Sequence, residues 1–285
     1  VLYYNPDVFR KAGLEVPTSD WTVEDVLAAA EQIEMAGLGD FGYLPRGHDV
    51  PFLLEQQGIS LFTSAPLPRP RFTAPEVSQA LQRLRRLGEG MSFPIPFSEL
   101  ISLIERGRVG MWFNVFDYWS GVNWPGGTRV TSIQVQPGTQ LPLQVNVFGL
   151  ASEAQHPQIC WEWINFLTQR GISPQDELPA LRRLAESEAT HQALGDELFV
   201  AYMEMLRRGE NVPVRDIAVE DWATWWFIQA LEKTRTENLE DALQTAQDKA
   251  EVFVTCLGAS GDNLDRARLC AQQADPDHPL AQLAP

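Results

Sequence analysis

LYYNPDVFRKAGLEVPTSDWTVEDVLAAAEQI, residues 2–33, carries the clearest local signals in the chain. Within it Thr22-Val-Glu-Asp25 is a capping box, in which the threonine hydroxyl and the acid three residues on satisfy each other's backbone N–H. Val26, Ala30 and Ile33 then recur at helical spacing, and Gly37 ends the run. Helix and strand signals keep alternating beyond it. Thr73-Ala-Pro-Glu76 opens a second helix with Pro75 early in its first turn; Val77, Leu81 and Leu84 line one face and Gly88 is a stop. Ser98 to Arg106 reads as a shorter helix ended by Gly107. Val109 to Val115 reads as a buried strand, and Leu143, Val145 and Val147 as a half-buried one. Pro157 to Gln169 is strongly helical, and its Trp161, Ile164 and Leu167 form an apolar face that needs a partner. Asn238 caps a long helix striped by Leu239, Leu243, Ala246, Ala250 and Phe253. Residues 257–285, rich in Asp, Gln and Pro, read as a loose tail. The fold class is α/β.

Composition excludes several functions. The 285 residues are 44% hydrophobic and 21% charged, which are globular values. A formal charge of −16 opposes nucleic acid and anionic membrane as partners. Arg83, Arg85 and Arg86 read as one solvated helix face. No apolar run reaches membrane-spanning length. The histidines, His48, His156, His191 and His278, share no metal spacing with one another or with the cysteines, so no metal is expected. No phosphate or dinucleotide loop is present, so no cofactor is expected. Glu24-Asp25, Glu220-Asp221 and Glu240-Asp241 are helix neighbours that do not face each other, and they read as first-turn carboxylates favoured by the helix dipole. Cys160 reads as a small buried residue. Cys256 and Cys270, around the turn-forming GASGDN, are either a disulfide, worth about 3 kcal/mol by chain entropy, or two unpaired thiols.

One stretch mixes rings with small polar groups. GMWFNVFDYWSGVNWPGG, residues 110–127, sets Trp112, Phe113, Phe116, Tyr118, Trp119 and Trp124 among Asn114, Asp117, Ser120 and Asn123. A pyranose has C–H faces that rings cover and a hydroxyl rim that Asp, Asn, Glu and Arg bond. An unmatched buried polar group costs about 1–3 kcal/mol, so such a surface selects among sugars. Protein interfaces use the same mixture.

The residues resemble a known family in several blocks. Residues 2–33 look like the segment of bacterial extracellular solute-binding proteins, family 1, in which a YYN strand precedes a helix and a turn. These are the sugar-binding components of ABC importers, the maltose-binding-protein class. FTAPEVSQALQRLRRL, LIERGRVGMWFNVFDYW, VFGLASEAQHPQICWEWINFLTQ, ELPALRRLAES and ENLEDALQTAQDKAE resemble further blocks in the family's order, to about residue 256. The resemblance implies a periplasmic-binding-protein-like, two-lobed fold of type II, with most of the first lobe preceding Val1 and missing from this chain. It divides the chain into lobe two at 1–143, a hinge crossing at 144–148, a returning part of lobe one at 149–210, closing helices of lobe two at 211–256, and a tail at 257–285. Trp161, Ile164 and Leu167 would then pack on a sheet built mainly from preceding residues.

The same resemblance implies a function and a site. The expectation is a monomeric binding protein, not an enzyme, that captures a mono- or oligosaccharide between lobes and delivers it to membrane permease subunits. It would sit outside the cell or in the periplasm, anchored through a preceding lipoprotein signal. A carbohydrate-recognition or sensor protein on this fold is the alternative; a glycoside hydrolase, with two distant carboxylates, is a further one. Trp119 falls where the family stacks a tryptophan on sugar, Asp117 is placed to accept a hydroxyl, and Asn114 shares their turn; the bland alternative for Trp119 is core. Trp124 is a candidate for the cleft rim, and Trp112, on the strand, for core. In EDWATWWF, residues 220–227, Trp222 or Trp225 is the candidate second stacking ring, with at least one of the three tryptophans core. Tyr4 either lines the cleft or packs beneath it.

Overall fold

Asn5 turns the first strand, β1 (Leu2–Tyr4), into the first helix, α1 (Pro6–Ala12). Its Oδ1 accepts from the Asp7 N–H at 3.0 Å, and its own N–H donates to the Gly110 carbonyl at 2.8 Å. One asparagine thus caps a helix and ties it to the neighbouring strand. The computed structural model describes residues 1–38, 40–65, 67–88, 93–113, 127–135, 148–170, 179, 181–209, 219–233, 238–258 and 264–283. The Leu143–Val147 strand expected from alternation lies outside them, as does the hinge crossing except at its last residue.

The capping box forms at Thr22 and Asp25 and starts α2 (Val23–Met35), which buries Val26, Leu27, Ala30 and Ile33. This helix lies directly on β2 (Phe41–Tyr43). A Cβ added to Gly42 would sit 2.2 Å from the Ala30 Cα, so glycine is what lets helix and strand backbones meet. Helix α3 (Asp49–Gln56) follows, then α4 (Pro75–Arg86). Thr73 does not cap α4; its N–H and hydroxyl both donate to Gln247 Oε1, at 3.1 and 2.9 Å. Arg83, expected on a solvated face, instead bridges Glu24 at 2.8 Å and Glu31 at 2.7 Å, stapling α4 to α2. Helix α5 (Phe97–Glu105) ends before Gly107, whose φ of 68° reverses the chain into β3 (Val109–Phe113).

The sheet has the order β2-β3-β1-β4, with β4 at Arg129–Thr131. β1 is antiparallel to both neighbours, with Leu2 opposite Phe113 and Thr131, and β2 is parallel to β3. Strands β2, β3 and β4 therefore share one direction. Leu2, Tyr43 and Met111 join the larger core cluster with α2, α3 and α4. Trp112 joins a smaller cluster on the other side, with Leu100 and Ile104 of α5, and stacks on Tyr3 at 6.0 Å. Both faces are covered, as the near-continuous burial of β3 requires.

The rest is helical where described. α6 (Pro157–Arg170) has no buried residue, and Trp161 and Trp163 are 52% and 58% exposed. Cys160, expected to be buried there, is only half-buried for the same reason. α7 (Arg182–Ala185), α8 (Glu188–Leu194) and α9 (Asp196–Gly209) follow. α9 meets β4 through an Arg129–Glu197 ion pair at 3.1 Å and a Ser132–Glu204 hydrogen bond. α10 (Val219–Lys233) packs along α11 (Leu239–Leu257), whose buried stripe includes Leu239, Leu243, Ala246, Ala250 and Phe253.

The loose tail is a correction. Residues after 263 form α12 (Leu264–Ala274) and a 3-10 turn, Pro279–Gln282, both docked on the main core. Cys256 and Cys270 are joined by a disulfide between α11 and α12. Polar composition misled because the segment buries few but decisive groups. Ala267, Cys270, Ala271 and Leu280 are apolar anchors, while the buried Asp275 accepts from Trp226 Nε1 at 3.0 Å and Lys249 Nζ at 2.7 Å.

Candidate functional site

The shared direction of β2, β3 and β4 sets a common carboxyl edge. In open α/β sheets ligands bind beyond such an edge, because loops leave it freely while the sheet holds their roots. A buried polar network occupies it here. Asp49, at the start of α3, accepts with Oδ2 from the Tyr43 hydroxyl at 3.1 Å and from the Arg46 N–H at 3.1 Å. The Arg46 side chain closes a fork on the same carboxylate, Nε to Oδ2 at 3.0 Å and Nη2 to Oδ1 at 2.7 Å. Nη2 also donates to the carbonyl of Phe113 at 3.1 Å, the last residue of β3. Burial works against the Arg46 charge, but the Asp49 carboxylate outweighs it and the guanidinium is held more firmly protonated. Burial, then the Asp49 charge, pushes the Tyr43 phenol well above its ordinary range, so it stays a neutral donor.

This network anchors the root of the ring-rich stretch. Asn114, Asp117, Trp119 and Trp124 lie outside the described residues, but the chain enters them from Phe113, whose carbonyl Arg46 holds. Phe113 itself is wedged edge-on against Tyr43 and Phe52, at 5.6 and 5.5 Å. Periodicity passed over Arg46 and Asp49. The available signal was PRGHD, residues 45–49, a turn-forming pair beside an Arg and Asp three apart.

The remaining candidates fall in two other places. Tyr4 is half-buried on β1, edge-on to Phe9 at 6.2 Å, and paired with Met111 and Arg129 across the sheet. Burial, then the charge of Glu197, raises its phenol, and Arg129 opposes them. Trp222 and Trp225 are half-buried and converge on one aromatic cluster: Trp222 meets Phe253 at 6.1 Å, and Trp225 meets Trp226 at 6.2 Å and His278 at 4.7 Å. Trp226 is the core member of the three, 2% exposed with its N–H satisfied by Asp275. Among the described residues, the ring contact of Tyr4 is with Phe9, while those of Trp222 and Trp225 are with Phe253, Trp226 and His278.

The family model of bacterial extracellular solute-binding proteins matches residues 1–172. The chain belongs to the bacterial extracellular solute-binding protein family. Among relatives, this solute-binding chain is 24% identical over 187 residues to an uncharacterised ABC transporter extracellular-binding protein of Pyrococcus horikoshii. That match takes in 59% of this chain and spans only 40% of the relative's length. Two solved structures share its fold. One is an ABC substrate-binding protein from Listeria monocytogenes in complex with cycloalternan, with a TM-score of 0.59, 18% identity, and coverage of 88% of this chain and 68% of that one. The other is a putative oligosaccharide periplasmic-binding protein from Synechococcus, with a TM-score of 0.59, 15% identity, and coverage of 89% and 70%. At these identities the likeness establishes the α/β fold of the periplasmic sugar-binding proteins.

Proposed function

We propose that this solute-binding protein captures a carbohydrate or polyol for an ABC importer. The observation that carries the reading is the ring-and-amide stretch leaving the carboxyl edge of the sheet at a root fixed by Arg46, Asp49 and Phe113. Trp119 stacks on a sugar face, while Asp117 and Asn114 take hydroxyls. Trp124 borders the cleft, and Tyr4 and either Trp222 or Trp225 contribute further rings. Three proteins sharing the fold are described with cycloalternan, mannotriose and D-mannitol bound, which supports this class of ligand.

Residues 1–143 and 211–256 belong to one lobe and 149–210 to the other, with the crossing at 144–148. Ligand enclosed between lobes shifts the population to the closed form by its differential affinity for that form. The closed form then docks on permease subunits from the extracellular or periplasmic side, as a monomer, with no catalytic step. A thermal-shift screen of the full-length protein against maltooligosaccharides, mannooligosaccharides and polyols tests this. A true ligand at a hundred times its Kd adds about 2.7 kcal/mol and raises Tm by several degrees. No shift with any of these at millimolar concentration overturns the carbohydrate reading.

A further inference from the structure

The segment after α12 folds back over α10 and α11 as a strap, residues 275–283. Its histidine, His278, is 3% exposed. The imidazole lies 4.5 Å from the Trp226 ring, 4.7 Å from Trp225 and 6.4 Å from Phe253, centroid to centroid. Nε2 is 3.1 Å from the Trp222 carbonyl, which can only accept, so Nε2 carries the hydrogen. Nδ1 is 3.1 Å from the Leu280 N–H, which can only donate, so Nδ1 is bare. The two contacts together commit the ring to one neutral tautomer. The bond from Leu280 is also the cap of the Pro279–Gln282 turn, and the Leu280 side chain is buried.

We propose that His278 is an acid-released latch: its protonation frees the strap from the Trp222 and Trp225 side of α10, and its deprotonation re-docks it. A proton on Nδ1 would face the Leu280 N–H donor to donor, removing the cap of the turn and placing a charge among aromatic rings. The surroundings from each element decide the direction. α10 presents Trp225, Trp226 and the Trp222 carbonyl. α11 presents Phe253 and, beyond Asp275, Lys249. The strap itself presents Asp275 and Asp277. Asp275 attracts an imidazolium, but its Oδ2 is already held by Trp226 and Lys249, and its Oδ1 accepts the Asp277 N–H at 3.2 Å.

Burial is the largest influence on His278 and lowers its proton affinity; the Trp222 bond and Asp275 oppose this without reversing it. The unfolded value lies at about 6.5, so the docked strap is fully stable above that pH and loosens as pH falls towards the depressed docked value. The disulfide at Cys270 keeps α12 on α11, so release is confined to residues beyond the helix and re-docking needs no search. This inference does not rest on the carbohydrate reading. It couples ambient pH to the surface around Trp222 and Trp225.

Hydrogen exchange on the full-length protein, disulfide intact, at pH 7.5 and 5.0 and corrected for intrinsic rates, tests it. Opening of residues 276–283 should be flat from pH 7.5 to about 6.5 and then grow by up to about tenfold per pH unit towards pH 5.0, while α11 stays unchanged. His278→Gln should abolish this dependence. Unchanged protection of the strap in acid, or the same acid loss in H278Q, overturns the proposal. Should H278Q fail to fold, NMR of the wild-type protein decides. The His278 ring should titrate below about 6.5 together with loss of Leu280 amide protection; titration with that amide still protected overturns the latch.

Discussion

Arg46 holds a carboxylate and a strand end at once. Its pairing with Asp49, three residues on, is local and readable from spacing. Its bond to the Phe113 carbonyl joins positions 67 apart and needs the parallel pairing of β2 with β3 before it can be seen. The α10 tryptophans teach the same point. Spacing places Trp222, Trp225 and Trp226 on one broad helical face, and nothing local separates them. Trp226 is the buried one because Asp275, 49 positions away, meets its indole N–H. A buried indole N–H without such a partner would cost about 1–3 kcal/mol. For the proposed ligand surface, Trp119 is the position to test. Trp119→Ala should weaken binding of the carbohydrate found by the thermal screen by at least about 1 kcal/mol with the fold intact. Titration calorimetry on the full-length protein measures it, and unchanged affinity removes Trp119 from the site.

Helices announced by their own ends appear where expected. α2 has its capping box and α11 its Asn238 cap, because these bonds close within a few residues. Where a terminus is completed from afar, local reading falls short: Thr73 stands ahead of α4 yet donates to Gln247 on α11. α12 and its strap are not legible from local pattern for a related reason. The stripe of α12, Ala267, Cys270 and Ala271, is made of small side chains, so its stability rests on docking against α11 and on the Cys256–Cys270 bond, while the strap docks on α10. The contact between α2 and β2 is the most exacting. Gly42→Ala would drive a methyl into the Ala30 backbone, which cannot move as a side chain can. Overpacking of this kind costs about 1–3 kcal/mol or more. A lower denaturant midpoint with unchanged slope is the expected result, and a midpoint equal to wild type would show that α2 can slide.

Apolar surface is unevenly covered across the chain. α10 and α11 bury continuous stripes, while α6 buries no residue and leaves Ile159, Trp161, Trp163 and Phe166 exposed. Burying one such side chain is worth about 1.5–3 kcal/mol, so this helix lacks the stabilisation its neighbours have. In the 285-residue chain, amides of α6 should exchange through local opening at least about a hundredfold faster than those of α11. Equal protection in a monomer would show that α6 is held as firmly as the packed helices and would overturn this expectation. The family resemblance followed from the order of several sequence blocks along the chain, whereas the α/β class and the major helices followed from patterns within single segments, since caps, helical spacing and strand runs are set by neighbours in the chain. The burial of Trp226 over Trp222, the Arg46–Phe113 tie, the close approach at Gly42 and the docked strap were settled by contacts between segments. Those depend on which surfaces the folded backbone brings within hydrogen-bonding or van der Waals range, and spacing along the chain carries no record of that distance.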